Sequence, residues 1–151
     1  MTPLQRPLQI IIVEDEALLV MDLEAMLTDE GHEVIGEAAS LAEVEALEVP
    51  TSPNLAFVDM QLAQNSSGLA VCRFIQARWP GIAVVFVTAN PKLIPEDFSG
   101  AHGVIPKPFS RSGLLSAMRF IEEGLIDPPP TASMPPSFIP SPKIAEAWKP
   151  R

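Results

Sequence analysis

Short runs of apolar residues alternate along most of this chain with segments whose apolar residues recur every three or four positions. The first run, residues 8–13, includes three consecutive isoleucines and is typical of a strand that is buried on both faces. Residues 16–30 follow with helical spacing, and Gly31 stands where a helix commonly ends. Because this strand-then-helix pattern repeats, it predicts a parallel sheet covered by helices on both faces.

The pattern predicts five strands connected by helices. Strands are expected at residues 8–13, 33–37, 54–58, 82–87 and 103–106, and helices at residues 16–30, 41–47, 67–79 and 111–124. Connections between parallel strands are right-handed, which favours a doubly wound, flavodoxin-like sheet with the strand order 2-1-3-4-5. The predicted fold class is therefore α/β. The helix between strands four and five is expected to be short or absent, because Pro91 and Pro95 are poorly placed for it.

Composition argues against several other classes of protein. The chain has 151 residues, of which 47% are hydrophobic and 19% are charged, so it can form a core and is not expected to be disordered throughout. A formal net charge of −9 argues against a nucleic-acid binder, because such domains carry basic surfaces. The longest apolar run, residues 82–87, is too short to span a bilayer, so no membrane partner is expected.

The sequence indicates a cytoplasmic location. Residues 1–8 lack the apolar region of a secretory signal. The single cysteine, Cys72, cannot form an internal disulfide bond, and its place on the apolar side of a predicted helix favours the core. A reducing compartment is therefore expected.

The prolines divide the chain into two parts. Eight of the 17 prolines lie at residues 128–150, which predicts a globular domain of residues 1–127 and a Pro-rich tail of residues 128–151, too short for an output domain. Such a tail is typically a linker or disordered. Four apolar residues could instead anchor it on the surface that the missing helix leaves open beside strands four and five. They are Phe138, Ile139, Ile144 and Trp148.

Charged and hydroxyl side chains follow four of the five predicted strands. Glu14 and Asp15 come after the first strand, Asp59 after the third, Thr88 after the fourth and Lys107 after the fifth. Ligands of open α/β sheets bind beside the carboxyl ends of the strands, so these residues are expected around one crevice. Carboxylates close together repel unless a cation lies among them, and their hard oxygens suit Mg²⁺.

Taken singly, each of these residues has an ordinary explanation. Acidic residues stabilise helix starts, threonine favours strands and lysine is common on surfaces. Only their joint placement at strand ends points to chemistry. His32 and His102 follow turn-like stretches and are expected to be exposed rather than to bind a ligand.

At four places the sequence resembles the receiver domains of two-component response regulators, over residues 8 to about 124. The matching segments are Val13-Glu14-Asp15-Glu16, Phe57-Val58-Asp59, Val87-Thr88-Ala89 and Lys107-Pro108-Phe109. The resemblance implies that Asp59 accepts a phosphoryl group. It also implies that Asp15, Asp59 and the backbone carbonyl of Gln61 bind Mg²⁺ with Glu14 beside them, that Thr88 contacts the phosphoryl group and that Lys107 is its counter-ion.

Two departures from this family pattern concern the region around the fifth strand. Most receivers carry an aromatic residue three positions before the lysine, whereas this chain has Val104 there and no tyrosine at all. The interval from Thr88 to Lys107 is also short, and residues 90–102 are expected to hold at most one helical turn. In this the chain is similar to stand-alone receivers of alphaproteobacteria that lack a regular fourth helix. Receivers of this type hold the Lys107–Pro108 bond cis, an isomer that is accessible at low cost only before proline.

The resemblance implies a single-domain response regulator rather than an enzyme, since it would catalyse only its own phosphorylation and dephosphorylation. Its expected partners are a sensor histidine kinase, whose phosphohistidine is the donor, and an unidentified downstream protein, with a homodimer as a further possibility. A phosphate sink in a phosphorelay is the alternative within this class. A haloacid-type phosphatase would need a second aspartate where Gln61 stands, and a flavodoxin-like cofactor carrier would need a glycine-rich phosphate loop where the acidic residues stand.

Overall fold

The computed structural model describes residues 7–150 and contains the predicted alternation of strands and helices. The strands are β1 (Gln9–Val13), β2 (Glu33–Ala38), β3 (Leu55–Val58), β4 (Ala83–Thr88), β5 (Gly103–Pro106) and β6 (Ile139–Pro140). The α-helices are α1 (Ala17–Asp29), α2 (Leu41–Ala46), α3 (Gly68–Arg78), α4 (Arg111–Ile126) and α5 (Pro142–Ala147). Short 3₁₀ turns lie at Ala63–Asn65, Pro91–Leu93 and Phe98–Gly100.

The sheet has the order β2-β1-β3-β4-β5-β6. Its first five members are parallel, which confirms the predicted flavodoxin-like order and the α/β class. The sixth strand was not predicted. It comes from the Pro-rich tail and pairs antiparallel with β5, Gly103 opposite Pro140 and Val104 opposite Ile139.

Serine side chains begin most of the helices. The Ser40 hydroxyl accepts the Glu43 N–H at 3.2 Å, which is one half of the predicted capping box of α2. The Glu43 carboxylate accepts the Ala39 N–H at 3.0 Å, one residue before the cap, rather than that of Ser40. The Ser110 hydroxyl caps α4 by accepting the Gly113 N–H. Gly31 follows the end of α1 with a φ of +89°, a left-handed conformation that glycine adopts without steric cost.

Side chains alternate between the two faces of the sheet and build two layers of core. One layer lies under α1 and α4 and includes Ile10, Ile12, Phe57, Val85 and Ile105. The other lies under α2 and α3 and includes Ile11, Val58, Val84, Phe86 and Val104. Cys72 is buried in the second layer, as predicted.

The segment between β4 and β5 contains two separate 3₁₀ turns and no α-helix. The prediction of at most one turn is therefore slightly low, but the expected loss of the regular helix is confirmed for these described residues. Ile94 and Phe98, from this segment, pack against the layer that contains Val104. The place of the missing helix is thus covered locally.

The tail packs on the opposite face from the one that was expected. Phe138, Ile144 and Trp148 are buried in the layer under α1 and α4, so the expectation that the tail fills the place of the missing helix is wrong. Ile139, expected as an anchor, is 44% exposed. The reason is geometric, since Phe138 directly precedes Ile139, the first residue of β6, and successive side chains of an extended chain point to opposite sides. Residues 1–6 and 151, which belong to the predicted units 1–127 and 128–151, lie outside the described residues.

His32 is buried, and the expectation that it is exposed is wrong. Its Nδ1 accepts the Leu8 N–H at 3.0 Å, and its Nε2 lies 3.6 Å from a carboxylate oxygen of Glu122 on α4. His102 is partly buried, and its ring centroid lies 5.8 Å from that of Trp148. Within residues 7–150, the helices are too short or too polar to cross a membrane.

Candidate functional site

The carboxyl ends of four parallel strands meet at one edge of the sheet. Val13 at the end of β1 is in register with Val58 at the end of β3, and the Asp59 N–H donates to the Val13 carbonyl at 2.9 Å. On the other side, the Lys107 N–H donates to the Thr88 carbonyl at 2.8 Å. The backbone ladder therefore brings the residues that follow each strand to the predicted crevice.

The Lys107 ammonium group joins two of the predicted carboxylates. Its Nζ donates to Oε1 of Glu14 at 2.9 Å and to Oδ2 of Asp59 at 3.0 Å. Burial lowers the pKa of Lys107, but its hydrogen bonds and attraction to Glu14 and Asp59 outweigh that effect and raise the pKa above its ordinary value. Lys107 is therefore a fixed positive charge in the crevice.

Glu14 is almost fully buried, and both of its carboxylate oxygens have partners. One oxygen accepts from Lys107, and the other accepts the N–H groups of Asp15 and Glu16, each at 3.1 Å. Burial raises the pKa of Glu14 to about 7, although the Lys107 hydrogen bond acts against the rise. Glu14 thus holds the start of α1 and Lys107 in place in this arrangement.

Three carboxylates form a cluster that could hold a metal ion. Ligand oxygens of Glu14, Asp15 and Asp59 all lie within 4.8 Å of one another. Asp15 is exposed, whereas Asp59 is buried and its Oδ1 accepts the Gln61 N–H at 3.1 Å. An all-oxygen cluster that is open to solvent on one side fits a hard divalent cation that keeps some of its water.

Thr88 lies buried at the end of β4. Its hydroxyl oxygen accepts the Asn90 N–H at 3.1 Å, which leaves the hydroxyl hydrogen to donate elsewhere. The Lys107–Pro108 peptide bond is cis, as expected from the resemblance. The structure therefore places every predicted side chain of the site at this edge of the sheet.

Gly68 was not singled out from the sequence, yet it sets the position of Asp59. A Cβ at Gly68 would overlap the Asp59 carbonyl oxygen and lie 2.6 Å from the Met60 Cα. The Gly68 N–H donates to the Met60 carbonyl at 2.9 Å, so the first residue of α3 touches the backbone beside Asp59. A glycine at a helix start, directly after a serine cap, is the sequence pattern that could have indicated such a close approach.

An acidic pocket with a lysine, at the carboxyl edge of a flavodoxin-like sheet, is typical of response regulator receiver domains. The chain belongs to this family, because the family model described as the response regulator receiver domain matches residues 10–119. Receiver domains bind Mg²⁺ at an acidic pocket and take their phosphoryl group from a donor such as a histidine kinase. This membership favours the receiver interpretation over the phosphatase and the cofactor carrier.

Known proteins similar to this chain are regulators. The transcriptional regulatory protein PdtaR of Mycobacterium tuberculosis is 33% identical over 113 residues, 74% of this chain and 55% of PdtaR. The phyllosphere-induced regulator PhyR of Methylorubrum extorquens is 40% identical over 85 residues, 56% of this chain and 32% of PhyR. The solution structure of the PhyR receiver domain of Erythrobacter litoralis matches with a TM-score of 0.68 and 27% identity, covering 84% of this chain and 97% of that one. The chain thus spans about half the length of PdtaR and a third of PhyR.

Proposed function

We propose that this protein is a response regulator whose receiver domain accepts a phosphoryl group on Asp59 from the phosphohistidine of a sensor histidine kinase. The observation that carries the proposal is the bridge from Lys107 to both Asp59 and Glu14 inside an acidic cluster. A nucleophile, a fixed cation and oxygen ligands for a metal are then within reach of one phosphorus atom. Phosphoryl transfer mainly requires such alignment and charge neutralisation.

In the proposed reaction an Asp59 oxygen attacks the phosphorus in line with the leaving imidazole. The P–N bond of phosphohistidine breaks as the P–O bond to Asp59 forms, and the imidazole nitrogen keeps the electron pair of the broken bond. Asp15, Asp59 and the Gln61 carbonyl are the proposed Mg²⁺ ligands, with Glu14 beside them. The bound ion would neutralise charge on the transferring oxygens.

Lys107 and Thr88 complete the proposed site. Lys107 exchanges its hydrogen bond to the Asp59 carboxylate for one to a phosphoryl oxygen, and the attraction of Glu14 keeps it close. Thr88 donates its hydroxyl hydrogen to another phosphoryl oxygen. The product is an acyl phosphate whose added negative charge is the signal.

The surface beside the site suits a helical segment of the kinase. Leu18 and Met21 on α1 are 78% and 63% exposed, although they are apolar. The residues that follow them in the chain, Leu19 and Asp22, line a groove that also includes Phe109 and Lys107. Apolar side chains exposed together on one helix are typical of contact surfaces, so we assign kinase docking to this face.

Other features of the proposed function rest on the sequence. The buried, unpaired Cys72 and the net charge of −9 support a cytoplasmic protein that signals by protein contact rather than by binding nucleic acid. A role as phosphate sink differs from this only in lacking a downstream partner. Formation of a homodimer stays a prediction.

The test is phosphorylation of wild type and two variants by a phosphorylated histidine kinase in Mg²⁺. Asp59→Asn should take up no acid-labile, hydroxylamine-sensitive phosphoryl group. Asp127→Asn removes an exposed carboxylate just past the far end of α4 and should be labelled like wild type. Labelling of Asp59→Asn at the wild-type rate would show that Asp59 is not the acceptor.

A further inference from the structure

The tail, defined here as residues 128–150, is attached to the rest of the molecule through the edge of β5. Its strand β6 pairs with Gly103 and Val104, and the Ser141 N–H donates to the His102 carbonyl at 2.9 Å. Without the tail, β5 would be an edge strand with unpaired backbone groups. The tail therefore closes this edge of the sheet.

Gly103 leaves the space in which Phe138 packs. A Cβ at Gly103 would lie 2.5 Å from the Cζ of Phe138 and 2.6 Å from the Ile139 carbonyl oxygen. Phe138 is 2% exposed, and its ring centroid lies 5.9 Å from that of Phe120 on α4. Any larger residue at position 103 would push the tail away from β5.

Gly124 provides the same kind of space for Trp148. A Cβ at Gly124 would lie 2.6 Å from three atoms of the indole ring, which is buried and packs edge-on against Phe120. Glycine inside a helix is less favourable than alanine. Contact with Trp148 gives a physical reason for a glycine within the 16 residues of α4.

Polar contacts fix the connecting part of the tail. One carboxylate oxygen of Glu123 accepts the N–H groups of Thr131 and Ala132, each at 2.8 Å, and the Thr131 hydroxyl at 2.9 Å. The Ser137 hydroxyl donates to the Gly113 carbonyl at 2.7 Å. Specific polar and apolar contacts thus run along the tail, which is not a loose linker.

The tail also reaches the loop that carries Lys107. Pro135, Pro136 and Ser137 form one wall of a groove whose other wall includes Pro106, Pro108 and Phe109. Lys107 directly follows β5, whose first two residues hold β6. The tail therefore pairs with the strand whose following residue, Lys107, contacts Asp59, and it borders one groove with the loop after that strand.

We propose that the tail is a releasable cap on the β5 edge and that phosphorylation of Asp59 weakens its docking. This rests on the proposed function. A phosphoryl group on Asp59 takes over the hydrogen bond that Lys107 now makes to the carboxylate, so Lys107 and the loop after it move. The contacts between the tail and β5 fit the position that the strand and this loop have without the phosphoryl group, so the movement weakens them. Release exposes the β5 edge and the apolar surface around Gly103 and Gly124. The partner that this surface fits is an extended segment that adds a strand to β5 and inserts an aromatic side chain beside Gly103.

The first arm of the test measures docking without any phosphoryl group. In full-length Trp79→Phe protein, Trp148 is the single tryptophan, and its fluorescence quenching by acrylamide reports exposure. Gly124→Ala should raise the quenching constant severalfold while α4 stays folded, because alanine favours the helix. Ile139→Ala truncates an exposed tail residue and should leave the constant unchanged. If Trp148 is as well shielded in Gly124→Ala as in the parent protein, the assigned docking is overturned. Phe138→Ala replaces Gly124→Ala in this test if that variant does not fold.

The second arm measures coupling with beryllium fluoride and Mg²⁺, which form a phosphoryl-like adduct on an acceptor carboxylate. In Trp79→Phe protein with an unaltered tail, adduct formation should raise the acrylamide quenching constant of Trp148. The same protein with Asp59→Asn added should show no such rise. Coupling between two equilibria is reciprocal. If the adduct weakens tail docking by a given factor, Gly124→Ala, whose tail is released, should bind beryllium fluoride more tightly than the parent protein by the same factor. An adduct that forms on Asp59 with Trp148 equally shielded would overturn the coupling alone. Absence of any adduct and of any phosphorylation would overturn the proposed function and the coupling with it, whereas the docking would still be judged by the first arm.

Discussion

At the scale of single residues, the site depends on one cation that balances several carboxylates. Lys107 contacts Glu14 and Asp59 directly and lies 3.9 Å from Glu16. Asp15 has no such contact among the ion pairs of residues 7–150, and it is the most exposed of the three clustered acids. Its negative charge therefore repels Glu14 and Asp59 until a metal ion binds.

Asp15→Asn should weaken Mg²⁺ binding and slow phosphorylation together. Without metal, the free energy of unfolding of this variant should equal that of wild type or exceed it by up to about 1 kcal/mol, because the substitution removes one like charge from the cluster. Mg²⁺ titration, phosphorylation rates and urea unfolding check this. Asp127→Asn is the control, since Asp127 is an exposed carboxylate just past the far end of α4 and outside the cluster. Wild-type metal affinity in Asp15→Asn would contradict the ligand assignment.

Gly68→Ala should destabilise the fold by roughly 1–3 kcal/mol, the usual cost of inserting an extra carbon into a packed site. The new Cβ meets the Asp59 backbone, so phosphorylation should also slow more than the lost stability explains. Urea unfolding and phosphorylation at saturating Mg²⁺ measure the two effects separately. Ala77→Ser, at an exposed position of the same helix, should change neither. Unchanged stability and rate in Gly68→Ala would show that the close approach does not matter.

The sequence predicts where the clustered residues lie, because strand ends are local features. Acidic residues and a lysine that follow several apolar runs predict that Glu14, Asp59 and Lys107 meet at one edge of the sheet. This pattern does not reveal that Glu14 is buried with both oxygens bound, because that depends on α1 and β5 meeting in space. Gly68 was missed for the same reason.

At the scale of elements, His32 joins the turn between α1 and β2 to α4 through Glu122. The sequence predicts a surface residue there, since a histidine after a glycine resembles a turn. The burial comes from α4, which lies far away in the chain. Burial lowers the pKa of His32, against a smaller raising effect of Glu30, and it raises the pKa of Glu122.

The stability that His32 contributes should fall as the pH drops below about 6.5, the pKa of an unperturbed histidine, whereas the raised pKa values of Glu14 and Glu122 act in the opposite direction on the whole protein. The folded chain holds His32 neutral, whereas the unfolded chain takes up a proton in this range and so binds more protons. His102 acts in the same direction, because burial and Lys143 lower its pKa as well. Urea unfolding at several pH values should show that the free energy of unfolding of wild type, relative to that of His32→Gln, falls as the pH drops below about 6.5. Imidazole NMR titration of the two histidines should show both titrating below pH 6.5, and a normal His32 pKa would contradict the prediction.

At the scale of the whole molecule, the five parallel strands and their order follow from the sequence, whereas the sixth strand and the docked tail do not. Parallel order is set by hydrophobic runs and crossover handedness, which are readable along the chain. The position of the tail is set by the space that two glycines leave, Gly103 in β5 and Gly124 in α4. Because glycine has no side chain, such a space produces no hydrophobic periodicity in the sequence by which it could be predicted. The covered face was therefore predicted wrongly although the anchors Phe138, Ile144 and Trp148 were named.

Loss of one buried anchor should free the tail while the parallel sheet persists. Phe138→Ala removes a fully buried ring just before β6, whereas Ile139→Ala removes the exposed side chain of the next residue, the first of that strand. Truncating a buried phenylalanine costs about 3–5 kcal/mol in a core. Here the loss in the free energy of unfolding of the whole domain should be smaller, because the tail can detach while the rest of the molecule stays folded. Hydrogen exchange should accelerate at β5 and residues 128–150 but not at β1 and β3, and trypsin should cut after Lys143. If Phe138→Ala instead unfolds the sheet in one transition with the tail, the tail is an inseparable part of the core and cannot act as a releasable cap.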